Sequence, residues 1–358
     1  MRIISTAIAA SLVALSAQAD VPKVVTDIAP IQALVAKVME GVGTSKQLLP
    51  ANVSPHDYAM RPSEARALQN ADLVVWVGTD LTPMLKDSIE SLAGKAQALE
   101  LLHLNGTREL EFRESETFIE LSLGGKDAHD HGKHDEDHHD DHDDHADHND
   151  HETHDEHAEH KDGHENHEEK NEHDEESDAH ASHDGHSHEG VDPHAWLDPE
   201  NARYWANAIA LTLSEMDPDN AAAYRANATD LDAELAALTV SISEQLAPLN
   251  DTGFVVFHDA YQYFETRFDL AASGAFLNGD GASPSAARLK AIQDVLTDNH
   301  ITCVFTEPQF NDDIVAAISE GLDLHSEELD PTGAKQDTPN YPELIQTLAN
   351  QFEACLSH

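Results

Sequence analysis

The chain has 358 residues, 40% of them hydrophobic, with 69 acidic side chains against 20 basic ones and a formal charge of −49. So acidic a surface repels phosphate backbones and excludes nucleic acid as a partner; it suits cations. The length allows two domains with ordinary cores once a leader and a low-complexity insert are set aside.

Met1 and Arg2 open a short positive region, residues 3–15 form an apolar run, and Ala17, Gln18 and Ala19 make a small-x-small cleavage site. This predicts a secretion signal over residues 1–19. The run is too short to span a bilayer, no Cys follows it to take a lipid, and no later stretch is apolar enough to cross a membrane. A periplasmic protein without a membrane anchor, diffusing as a monomer, is the expectation.

From residue 20 to 125 strands and helices alternate, an N-terminal α/β lobe. Residues 23–26 read as a strand, 28–39 as a helix with Ile31, Leu34, Val35 and Val38 on one face, and 47–49 as a short strand. Residues 62–70 are helical with Pro62 in the first turn, 72–77 form a continuous apolar strand, 83–91 a helix and 98–102 a strand. Continuous rather than alternating apolar strands, with helices between them, indicate a parallel sheet covered on both faces.

Residues 126–190 are mostly His, Asp and Glu, hold most of the chain's 26 histidines and carry nearly half its net charge. With almost no apolar residues such a segment cannot offset its ordering entropy, and disorder is expected in the absence of metal. His139, His142, His145, His148, His151, His154, His157 and His160 recur at every third position. In a helical turn that step brings Cβ atoms to about 5–6 Å, close enough to share a metal; in an extended polyproline-like chain it is about 9 Å. Zinc-induced local helical turns are therefore expected, as is weak binding of several ions. A plain solvated linker is the competing role.

Residues 191–217 complete the N-terminal lobe with a helix capped by Asp198 and opened by Pro199. Asp217 and Pro218 repeat the device, predicting a connecting helix over 218–247 with Tyr224, Leu231, Leu235, Leu238, Ile242 and Leu246 at three-four spacing. Some 30 residues give about 45 Å, enough to cross two lobes. Residues 248–358 alternate again as a C-terminal lobe: strand 253–257, helix 260–267, extended 270–276, helix 285–299, strand 301–306, helix 312–320, short strand 326–329 and helix 342–356. The fold class is α/β, with two lobes, each a small mostly parallel sheet flanked by helices, joined by one long helix.

The only two cysteines, Cys303 and Cys355, are bound for an oxidising compartment and read as a structural disulfide. Two unrelated buried thiols are the alternative.

Outside the insert, His56, His194 and His258 stand at strand-to-helix junctions, where crevices form in parallel sheets. Singly each would be an ordinary loop histidine; together they form a candidate set. Three neutral imidazoles suit Zn²⁺ and leave one tetrahedral position open. Asp330, before Pro331, is the candidate for it, with water or a plain turn carboxylate as alternatives. Glu307, Asp57 and Asp259 are candidates to receive the second ring N–H of a ligating His. Trp196 shields the site or packs the core, and His103, His300, His325 and His358 read as ordinary histidines.

Ser54-Pro55-His56-Asp57-Tyr58, Asp192-Pro193-His194-Ala195-Trp196-Leu197-Asp198-Pro199, Phe257-His258-Asp259-Ala260-Tyr261 and Thr306-Glu307-Pro308-Gln309-Phe310 resemble, in the same order, the metal-binding subunits of high-affinity zinc ABC transporters of the ZnuA type. The resemblance covers essentially all the mature chain, the acidic His-rich insert and the two C-terminal cysteines included. It implies that His56, His194 and His258 bind Zn²⁺ in a cleft between the lobes and that the long helix restricts hinge motion. It also implies that Asp330 matches the family's carboxylate position, which water or another carboxylate can replace. Some members carry Glu before the first His, where this chain has Pro55; manganese members of the wider superfamily tend to a carboxylate where His258 stands, which favours zinc here. The implied function is a receptor delivering Zn²⁺ to the membrane permease of an ABC importer, with an uncoupled periplasmic zinc buffer as the alternative. A hydrolase would need a poised base, for which Glu307 is the only plausible candidate, with a nucleophile motif and an organic pocket, neither of them evident, so no enzyme is expected.

Overall fold

The computed structural model describes residues 21–51, 53–56, 58–113, 118, 190–277, 284–309, 315, 318, 321–336 and 338–358. The expected secretion signal, the His-rich insert apart from Gly190, Asp57 and most of the expected helix 312–320 lie outside the described residues; Val315 and Ile318 of that helix are helical.

The first half holds β1 (Val24–Thr26), α1 (Ala29–Val38), β2 (Ser45–Gln47), α2 (Pro62–Gln69), β3 (Leu73–Trp76), α3 (Pro83–Leu92) and β4 (Gln97–Glu100). All strand pairs are parallel, in the order β2-β1-β3-β4. Val24, Val25 and all of β3 are buried, as continuous apolar strands between helix layers require. β2 lies two residues earlier than its apolar run suggests. Leu48 and Leu49 instead leave the strand inward, their amides donating to Thr26 O at 2.8 Å and Asp27 O at 3.0 Å.

A 3-10 turn (Ala195–Leu197) leads into α4 (Pro199–Met216), where the Asp198 carboxylate accepts from the Glu200 amide at 2.9 Å. The long helix α5 (Ala221–Leu246) begins later than expected. Asp217 does not cap it: the Asp217 amide closes α4 on Leu213 O, and its Oδ2 accepts from Tyr224 Oη at 2.9 Å and Asn220 Nδ2 at 2.7 Å. The Asp-Pro pair thus makes the turn between two helices. The 26 residues of α5 span about 39 Å.

The second half holds β5 (Phe254–His258), α6 (Gln262–Phe268), β6 (Gly274–Leu277), α7 (Ala286–Asp298), β7 (Cys303–Thr306), β8 (His325–Glu328) and α8 (Tyr341–Leu356). Its sheet, also parallel, runs β6-β5-β7-β8, the order of the first sheet repeated. In both sheets the chain reverses direction of growth at the central pair, β1/β3 and β5/β7, where ligand crevices form beyond the carboxyl ends.

One apolar cluster runs from β1, α1 and β3 through α4 and α5 to β5, α6 and α8. Tyr224, Leu231, Leu235, Ile242 and Leu246 of α5 are all fully buried in it, Leu238 partly. A second cluster fills the far face of β5, β6 and β7 under α7. Cys303 and Cys355 form a disulfide across 52 residues, fastening β7 to the end of α8. Loop entropy for such a closure is worth about 4 kcal/mol against the unfolded chain.

Candidate metal centre

His258 ends β5, and Glu307 follows β7 directly. Since β5 and β7 are the central pair, their carboxyl ends lie side by side. Glu307 Oε1 accepts from the His258 amide at 3.2 Å and from its Nδ1 at 2.5 Å, with the two residues 2% and 4% exposed. A carboxylate at that distance holds the proton on Nδ1 and leaves the Nε2 lone pair available.

His194 is held the same way by a local device. Asp192 Oδ1 accepts from the His194 amide at 2.9 Å and from its Nδ1 at 2.7 Å. Asp192 is itself fixed: Tyr263 Oη donates to its carbonyl at 2.8 Å, and the Gln262 side-chain amide donates to its Oδ2 at 3.1 Å. His56 lies in the loop between β2 and α2, its amide donating to Ser54 Oγ at 3.3 Å. The ring centroids of His56 and His194 are 5.4 Å apart, and those of His194 and His258 5.3 Å. The three imidazoles therefore share one pocket, which Trp196, Glu307, Gln309 and Thr332 also line.

The three histidines do not occupy equivalent junctions, contrary to their sequence contexts. Only His258 closes a sheet strand; His56 sits within the loop of residues 48–61, and His194 precedes the 3-10 turn. Trp196 packs in the core beside the site. Its ring lies 5.3 Å from that of His194, and it is buried with Nε1 donating to Pro331 O at 2.8 Å.

Asp330 is buried, but it is not among the described residues that line the pocket. Its Oδ1 accepts from the amide and hydroxyl of Thr332, both at 3.3 Å, and its Oδ2 from the Lys335 amide at 3.0 Å. The carboxylate caps the turn that carries Pro331 and Thr332 to the pocket wall.

The Asp259 carboxylate is taken by a cation with no local motif to mark it, Arg113. Arg113 Nε donates to both its oxygens at 3.0 Å, while Nη1 and Nη2 reach Glu265 at 2.8 and 2.9 Å. Desolvation works against this guanidinium, but Glu265 and Asp259 outweigh it and raise its pKa. The segment entering the insert is thereby tied to the second half of the chain, as it is by the Leu110 amide donating to Tyr263 Oη at 2.9 Å.

His103 is not in a strand: it lies exposed beyond β4, with Nε2 2.9 Å from Asp80 and Nδ1 3.2 Å from Glu109. Desolvation lowers its pKa, but the hydrogen bonds and charges of those two carboxylates prevail and raise it. His300 sits in a left-handed turn with φ 54°, and the rings of His325 and His358 lie tilted with centroids 4.2 Å apart; none of the four lines the pocket.

A family model described as zinc-uptake complex component A, periplasmic (ZnuA), matches residues 24–355. The chain belongs to the ZnuA family. Its relatives include the high-affinity zinc uptake system protein ZnuA of Paracoccus denitrificans, 43% identical with 96% of this chain and 94% of that one covered. The ZnuA of Brucella suis is 39% identical, with 93% and 91% covered. Among solved structures, a crystal structure of ZnuA superposes with a TM-score of 0.67 at 22% identity, covering 94% of this chain and all of that one. The periplasmic zinc-binding protein TroA of Treponema pallidum gives 0.67 at 16% identity, with 94% and 99% covered. These likenesses show the fold, two parallel sheets with flanking helices. ZnuA-family proteins are zinc-binding transport receptors of the periplasm, not enzymes. Among the described residues, no helix is long and apolar enough to cross a membrane.

Proposed function

We propose that this chain captures Zn²⁺ with His56, His194 and His258 and delivers it to the membrane permease of an ABC importer. The observation that carries the reading is the pairing of two of the imidazoles with buried carboxylates, Asp192 on His194 and Glu307 on His258. Each carboxylate fixes the tautomer that offers Nε2 and strengthens it as a donor. Three neutral nitrogens in one pocket match the Zn²⁺ preference and leave a position open for exchange. A receptor needs such an opening, because the ion must later pass to another ligand set.

In this reading residues 20–125 and 191–217 form one lobe and residues 248–358 the other, bridged by the connecting helix, with the cargo between them. The secretion signal over residues 1–19 sends the chain to the periplasm, where it works as a monomer. The histidines of residues 126–190 collect zinc weakly near the cleft and pass it to the three-histidine site.

Calorimetric titration of the mature protein and of His56→Ala with His194→Ala tests the assignment. The expected result is one tight site plus several weak ones, with only the tight site lost in the double variant. A double variant that keeps every site moves capture to the insert and makes the protein a buffer. Growth of a deletion strain in scarce zinc tests delivery: an uncoupled buffer would be dispensable there.

A further inference from the structure

The fourth position of the centre has a better-placed servant than Asp330. We propose that Gln309 Oε1 accepts a hydrogen bond from the water that completes the zinc shell, and that Asp330 acts only by positioning Gln309 through Thr332. This rests on the three-histidine reading above.

Gln309 lines the pocket with the three histidines. Its Nε2 donates to Thr332 Oγ1 at 3.0 Å, and its Oε1 is a buried acceptor with no partner among the described residues. The orientation of this amide follows from proton counting. Thr332 has one hydroxyl proton, and that hydroxyl faces two acceptors, Asp330 Oδ1 at 3.3 Å and Ala51 O at 3.5 Å. Its proton is used there, so toward Gln309 it presents a lone pair and must meet the NH₂ group. The carbonyl oxygen is then the atom left over, in a pocket it shares with the three imidazoles and the Glu307 carboxylate.

Buried acceptors are rarely left unsatisfied. A water on Zn²⁺ is a strongly polarised donor, and a neutral carbonyl oxygen is its natural partner. Asp330 has already given its oxygens to the amides of Thr332 and Lys335. An amide at this point also has a consequence for selectivity. With three imidazoles and a water, the shell contains no anionic oxygen, which disfavours harder cations such as Mn²⁺. The water remains the one displaceable ligand.

The test uses the full chain loaded with one equivalent of Co²⁺, whose visible bands report the inner shell, together with Zn²⁺ and Mn²⁺ competition titrations. Gln309→Met keeps the length and removes the acceptor; it should shift the Co²⁺ bands and weaken Zn²⁺ roughly tenfold, the lower range for outer-shell partners. Gln309→Glu keeps an acceptor, should recover Zn²⁺ binding, and should narrow the preference for Zn²⁺ over Mn²⁺. Thr332→Val, which leaves Gln309 unanchored, should fall between wild type and Gln309→Met. Wild-type bands and affinity in Gln309→Met overturn the proposal, as does a band shift on Asp330→Ala that the Gln309 variants do not share. His194→Ala run alongside separates the two readings: if it keeps the tight site, the three-histidine assignment itself fails, whatever Gln309 does.

Discussion

At the scale of single residues, the centre is organised by what stands behind the imidazoles. Glu307 and Asp192 each accept from both the amide and the Nδ1 of one histidine, so each carboxylate fixes a backbone and a ring together. Glu307→Gln and Asp192→Asn keep size and remove the charge. Each should weaken Zn²⁺ by about 10- to 100-fold in a chelator competition assay, with wild-type secondary structure by circular dichroism. Glu307 was legible in the sequence because it stands at the end of an apolar strand. Asp192 stands in the same motif as His194, and a carboxylate two residues before a His can turn back on both its amide and its ring. Gln309 and Thr332 carried no such signal: their roles depend on a turn whose shape Asp330 sets. Asp259, one residue from His258, looked like a partner for it, but its carboxylate is bound by Arg113 from a segment far away in sequence.

At the scale of elements, helix and strand types follow the apolar pattern closely, and the departures are at boundaries where a side chain has other work. Asp217 satisfies a tyrosine and an asparagine and so cannot open α5. The leucines after β2 read as strand because they are apolar, but it is their burial beyond β1 that keeps them apolar. Asp27, at the carboxyl end of β1, is fully buried and accepts from the amides of Ile28 and Val77, both at 2.7 Å. Burial pushes its carboxyl from 3.8 up to about 7, against the pull of those amides. The native chain therefore keeps a proton that the unfolded chain releases, and the stability it contributes is present below about pH 4 and lost as pH rises through about 7. The loss is on the order of 4 kcal/mol, since each tenfold change in proton affinity is worth about 1.4 kcal/mol. Urea unfolding at a series of pH values should show this fall in the wild type. In Asp27→Asn, which cannot titrate, the slope between pH 4 and 7 should flatten.

At the scale of the whole molecule, the two-sheet parallel plan was readable because continuous apolar strands and intervening helices occur on both sides of the insert. Readable too was the long helix between the halves: α5 buries one face among residues of both. Hidden from the sequence was a further fastening, Arg113 reaching from the entry to the insert onto Asp259 and Glu265 of the second half. Contacts between residues some 150 positions apart leave no local pattern. Both acids and the arginine are largely buried, so removing the cation strands two charges. Arg113→Ala should cost roughly 3–5 kcal/mol in unfolding free energy. Hydrogen exchange should place the first loss of protection at residues 110–113 and 190–192 and along α6.

The chain leaves for the insert and returns from it as a zipped pair. Glu111 and Val191 face each other in an antiparallel bridge, the Phe112 amide donates to Gly190 O at 3.2 Å, and the Asp192 amide donates to Leu110 O at 2.8 Å. The two ends are thus held together by the body of the protein and ask nothing of the stretch between them. The entropy of closing that stretch grows only with the logarithm of its length, about 0.6 kcal/mol per doubling. Gain or loss of histidine repeats is therefore almost free for the fold. In the proposed reading, the number of weak zinc sites can change while the pocket stays as it is.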